Sequence, residues 1–116
     1  MGSANFISML LFFSILILLF GCLAPAPYEN SLSMERRAQG ACIKACNALK
    51  ASGANMSAGP CAANPLKDYP SWVCDVAHNP RQPVDDIIDN QCSLYQNGGA
   101  SYFIEVTPEC EFIRSN

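Results

Sequence analysis

The stretch Gly40-Ala41-Cys42-Ile43-Lys44-Ala45-Cys46-Asn47-Ala48-Leu49-Lys50 decides how this chain folds. Ala38, Cys42, Ala45, Cys46 and Leu49 recur at three- and four-residue spacing, while Arg37, Lys44, Asn47 and Lys50 fall elsewhere, so the pattern predicts a helix with one apolar face. Ser33 is the expected N-cap, the helix runs to about Ser52, and Gly53 suits the left-handed conformation just past its end. The small alanines allow close packing against a sheet. Cys42 and Cys46 point the same way from this face, and a disulfide between them requires geometry that a regular helix does not supply. Each is therefore expected to reach a different, distant partner.

Four further cysteines, Cys61, Cys74, Cys92 and Cys110, complete an even set of six, which behind an export-type leader reads as three disulfides in an oxidising compartment. One helix cysteine is expected to join Cys74 and the other a loop cysteine; beyond that the connectivity stays open. Bridges of this kind contribute ~3 to 4 kcal/mol each in the chain-entropy model, comparable with the whole stability of a domain this small.

Trp72-Val73-Cys74-Asp75-Val76 reads as a strand with Trp72, Cys74 and Val76 facing one way, and Ser101 through Val106 as another with Tyr102, Ile104 and Val106 together. Thr107-Pro108-Glu109 is a turn into a last strand from Cys110 to Arg114, and a short helix is expected around Gln91 to Gln96, ended by Gly98. Gly53 through Pro70, rich in Gly, Pro, Asn and Ser, reads as an irregular loop anchored by Cys61 and Leu66. The expected fold is a small α+β domain over residues 33–116, one main helix on a short antiparallel sheet, held by disulfides.

The seventh cysteine, Cys22, stands apart at the end of an apolar run. From Phe6 to Phe20 every residue is Phe, Ile, Leu, Met or Ser, and no Asp, Glu, Lys, Arg or His occurs before Glu29. Counted on to Ala24 the run has about 19 residues, near the ~20 that span a bilayer as a helix. Leu19-Phe20-Gly21-Cys22 resembles the lipobox of prokaryotic lipoproteins, in which an aliphatic, a variable and a small residue precede the cysteine that receives diacylglycerol. The resemblance implies lipidation of Cys22 and cleavage before it. An uncleaved anchor over residues 1–22 and simple secretion are the other readings of the leader. Met1-Gly2 is not a myristoylation signal, because Phe6 occupies the position that calls for Ser or Thr. Residues 23–32, with Pro25 and Pro27, are expected to be an extended linker.

The formal charge of −3 belongs wholly to the part downstream of the leader. Its cations are scattered, with Arg36-Arg37 the one adjacent pair, so nucleic acid is not an expected partner. Cys42, Cys46 and the distant His78 are similar in spacing to the copper-delivery constellation of the Sco family, which implies a soft-metal site as an alternative to disulfides. His78 is the one histidine of the chain and would serve as a base if an acid such as Asp75 oriented it; no nucleophile motif adjoins it, and a polar strand end is the plainer reading. Asp85, Asp86 and Asp89 lack the alternating ligands and glycine of an EF-hand and read as a solvated loop or helix start. Asn79-Pro80-Arg81-Gln82-Pro83 is expected on an exposed loop held between Cys74 and Cys92, a way of presenting a binding segment used by small protease inhibitors. Trp72, Tyr102 and Phe103 are expected in the core rather than on a ligand platform. Asn55-Met56-Ser57 meets the N-glycosylation pattern.

Together these residues describe an exported protein anchored to the outer face of the cytoplasmic membrane or cell envelope, in contact with lipid through Cys22 or the N-terminal helix. It is expected to act as a binding or structural module, with a surface protein as a candidate partner. No catalytic motif and no cofactor are indicated; the alternatives are metal handling through Cys42, Cys46 and His78, and protease inhibition through the Asn79 to Pro83 loop.

Overall fold

In a computed structural model of the chain, residues 27–116 are described, with side chains from Ser33 onward. The leader with Cys22, and linker residues 23–26, lie outside the described residues. Helix α1 spans Pro27–Ala51. Proline suits a first helical position, where its fixed φ fits and its missing N–H has no partner to lose; Ser33 therefore lies inside the helix rather than capping it. At the other end Gly53, at φ +85°, takes the left-handed conformation and its N–H donates to the Lys50 carbonyl at 3.1 Å.

Strands β1 (Cys61–Ala63), β2 (Trp72–Val76), β3 (Tyr102–Val106) and β4 (Phe112–Ser115) form one four-stranded sheet in sequence order. The sheet is mixed, not antiparallel as expected: β1 and β4 run antiparallel to their neighbours, but β2 and β3 pair in parallel, Trp72 to Tyr102 through Val76 to Val106. The long connection from Ala77 to Ser101 carries the chain back to the end where β2 began, which a tight hairpin does not do. Strand β1 lies inside the stretch read as irregular. Its three residues, Cys-Ala-Ala, carry almost no strand propensity, and the pairing with β2 creates it. A one-turn helix α2, Ser93–Gln96, precedes Gly98 at φ +80°. Asn64 holds its start from across the molecule, accepting from the Leu94 N–H at 3.0 Å and donating to the Ser93 hydroxyl at 2.8 Å.

Strand alternation sorts the side chains onto two faces. Trp72, Cys74 and Val76 of β2 join Ile104 and Val106 of β3 under α1, whose Ala38, Cys42 and Cys46 are fully buried there. Tyr102, the outermost of its face, is 45% exposed and stacks on Trp72 with ring centroids 4.6 Å apart, so it covers the core edge instead of filling it. On the opposite face Val73 packs with Cys92 and Ala100, against Leu94 and Phe103.

The disulfides tie these layers together. Cys42–Cys74 joins α1 to the centre of the sheet, Cys46–Cys110 joins α1 to the turn between β3 and β4, and Cys61–Cys92 crosses the opposite face. The two helix cysteines thus take different distant partners. The helix is also tied to β4 by a hydrogen bond from the Ser115 hydroxyl to Glu35. Crosslinking of this density in so small a domain suits an extracellular or secreted setting. Among the described residues no helix is long and apolar enough to cross a membrane.

Candidate functional site

The face of the sheet turned away from α1 carries the chemistry. Because Trp72, Cys74 and Val76 are committed to the core, Val73 and Asp75 must face the other way, and the parallel register sets Glu105 directly beside Asp75. Arg114 stands opposite Glu105 on β4. Its Nε donates to one Glu105 oxygen at 2.6 Å and its Nη2 to the other at 3.2 Å, and Arg81 adds a third bond, Nη1 to Oε1, at 2.8 Å. Burial alone would raise the Glu105 pKa, but the hydrogen bonds from Arg114 and Arg81 outweigh it and hold this carboxylate below its usual range.

Asp75 has no such partner. Among the described residues its Oδ1 is sealed from solvent without a hydrogen bond, and no ion pair reaches its carboxyl. Desolvation, reinforced by the neighbouring Glu105 charge, pushes its pKa up to about 7. Asp75 and Glu105 line a pocket of about 150 Å³ with Arg81, Arg114, Tyr95, Phe103, Gln91 and Gln96 in its wall. The Tyr95 and Phe103 rings meet edge to face at 5.0 Å, and the Arg114 guanidinium lies 5.1 Å from the Phe103 centroid. Phe103, half-buried against the Val73 and Cys92 cluster, is thus also a wall of the pocket. The Cys61–Cys92 bridge borders the same pocket and fixes the segment that carries Gln91, Tyr95 and Gln96.

His78 and Arg81, the residues expected to mark a binding loop, go to different places. Arg81 is folded back onto the domain: Nε donates to Asp86 at 2.8 Å, Nη1 to Glu105, and Nη2 to the Asp85 carbonyl at 3.0 Å. A protease-inhibitor loop must project its cation, and here all three guanidinium nitrogens are engaged. His78 meets Asp85, not Asp75. Its Nδ1 lies 2.9 Å from Asp85 Oδ1, while the backbone N–H groups of His78 and Gln82 donate to Oδ2 at 2.9 and 2.8 Å. An ionised Asp85 only accepts, so Nδ1 carries the proton and Nε2 is left for other contacts. Burial works to raise the Asp85 pKa, but these bonds prevail and lower it.

Asp85 was expected to be solvated with Asp86 and Asp89; it is instead buried at 2% exposure, while the other two stay at the surface. It sits at the third position of the turn Pro83–Asp86, where its carboxylate accepts the Gln82 N–H and completes a capping box. Gly59 makes room for it. At φ +64° Gly59 takes a conformation that side chains resist, and a Cβ there would lie 2.7 Å from Asp85 Oδ1. His78 also lines an open cleft with Ser57, Asn79, Pro80, Gln82, Thr107, Pro108 and Glu109, but no hydrogen bond joins Ser57 to the imidazole. The arrangement is an oriented histidine without an attached hydroxyl.

Cys42 and Cys46, grouped by spacing with His78 as metal ligands, are both oxidised to other cysteines, and among the described residues no group of three ligands converges on a metal. Asn55 is exposed, beside the turn Met56–Ala58. The pocket residues Glu105, Arg114, Tyr95, Gln91 and Gln96 escaped sequence reasoning. Alternation along β2 and β3 placed Asp75 and Glu105 off the core face, and that was the available signal. No known protein family, curated protein or solved structure matches the chain.

Proposed function

We propose that this is an exported, membrane-anchored surface protein whose disulfide-braced domain acts by binding, and that the sheet face opposite α1 is where it binds. The pocket carries this reading: a structural module has no use for a desolvated carboxyl left without a cation, bordered by two aromatic rings and rigidified by a disulfide. The bridges reduce the ordering entropy that binding would otherwise cost. The lipobox-like Leu19-Phe20-Gly21-Cys22 and the apolar run before it support the tether.

Intact mass spectrometry of detergent-extracted protein, before and after reduction, tests the tether and the oxidation state together. A gain of six hydrogens on reduction, loss of residues 1–21 and a lipid mass on Cys22 is the expected result. A full-length mass in the membrane fraction moves the anchor to the N-terminal helix. A lipid-free, leaderless chain in the medium removes the tether.

A further inference from the structure

Resting on the reading of the outer sheet face as a binding surface, we infer that the pocket between Asp75 and Tyr95 takes a small organic ammonium ion, with the cationic group at the Asp75 carboxyl and an apolar body against Tyr95 and Phe103.

Charge pairing in the neighbourhood is the first argument. Four carboxylates gather there: Glu105 is held by Arg114 and Arg81, Asp86 by Arg81, and Asp85 by His78. Asp75 is left over. The nearby guanidinium of Arg81 eases its charge through space but is bonded elsewhere. A ligand that brings a positive charge supplies the cation that Asp75 lacks, whereas an anion would be set against the unpaired Asp75 carboxylate.

Size and wall chemistry then narrow the cation. The cavity of about 150 Å³ is of the size that accepts one benzene-sized ring. A hard metal ion is a poor fit, because Ca²⁺ requires ~6 to 8 oxygen ligands and Glu105 already accepts three hydrogen bonds from arginines. An ammonium group needs few acceptors, and the Tyr95 and Phe103 side chains in the pocket wall cover the carbon skeleton beside it. The bound cation also repays the desolvation of Asp75, so occupancy should hold that carboxyl ionised and binding should release a proton near neutral pH.

The test uses full-length protein in detergent micelles, with backbone amide NMR shifts followed during titration with benzylammonium, benzyl alcohol and benzoate in turn. Benzylammonium at about pH 8 is expected to move the Asp75, Tyr95, Phe103 and Glu105 amides, with affinity at least ~10-fold above either analogue and falling at least ~10-fold by about pH 5 as Asp75 takes up its proton. Asp75→Asn should abolish the preference for the cation; the pH series on the unaltered protein gives an independent reading if that variant folds poorly. Equal or tighter binding of benzyl alcohol or benzoate overturns the ammonium inference and leaves the binding face standing. Pocket amides unmoved by all three probes overturn both.

Discussion

Asp75 and Glu105 are cross-strand partners in a parallel pair, so two carboxyl groups stand side by side on one face, and only Glu105 has arginines bound to it. The unequal sharing of cations sets their titration apart. Glu105 is held below the usual carboxylate range and Asp75 is raised to about 7.

Stability should therefore respond to pH in two opposing ways. With its folded pKa raised, Asp75 keeps a proton that the unfolded chain gives up, so its contribution falls as pH rises from about 4 to about 7 and is level above that. At ~1.4 kcal/mol per unit the ceiling is ~4 kcal/mol, reduced by the carboxyl's partial exposure. Asp85 and Glu105 have lowered pKa values; what they contribute is present above the ordinary carboxyl range and is lost as pH falls through their folded values. A stability maximum on the weakly acidic side is expected. Urea unfolding of Asp75→Asn should show the variant gaining on the parent at about pH 8 and losing that gain near pH 4. A gain of the same size at both pH values would exclude Asp75 as the source.

Replacement of Gly59 by alanine should destabilise the domain by about 2 to 3 kcal/mol, the left-handed backbone and the clash with Asp85 acting together. The same change should disturb the His78 ring. In ¹⁵N spectra the imidazole nitrogens would shift as the Asp85 bond is lost, which a purely local strain at Gly59 would not produce.

Reduction of the three bridges should unfold the domain. In the chain-entropy model the loops closed here contribute ~4 kcal/mol each, and Cys46–Cys110, with a separation of 64 residues, closes the longest. The double replacement of Cys46 and Cys110 by serine should lower the urea midpoint more than that of Cys61 and Cys92. Retention of native near-ultraviolet dichroism after complete reduction would contradict this account of stability.

Arg81→Ala separates a presented arginine from a structural one. Loss of its bonds to Glu105 and Asp86 should cost ~1 to 2 kcal/mol, diminishing at high salt because the guanidinium is partly exposed. It should also raise the Asp75 pKa further, since Arg81 is a cation that lowers it. Carbon NMR of the Asp75 carboxyl measures this directly. Inhibition of a trypsin-like protease by the intact domain, abolished in the variant, would instead support the loop as a presented segment.

By itself the sequence determined the helix, the strands β2 and β3 and the need for crosslinks. These follow from local periodicity and from a cysteine count in a domain too small for a large core, and the shared helical face of Cys42 and Cys46 ruled out their joining each other. Tertiary structure alone decided the direction of β3 against β2, the existence of β1 and, beyond the expected bridge from the helix to Cys74, the pairing of the cysteines. It also chose which aspartate would be buried beside His78 and which left without a cation. Those outcomes depend on residues far apart in the chain: a parallel register sets Asp75 beside Glu105, and a glycine at position 59 opens the space that Asp85 fills. Local spacing carries no record of such meetings, because they arise only when distant segments compete for the same neighbours.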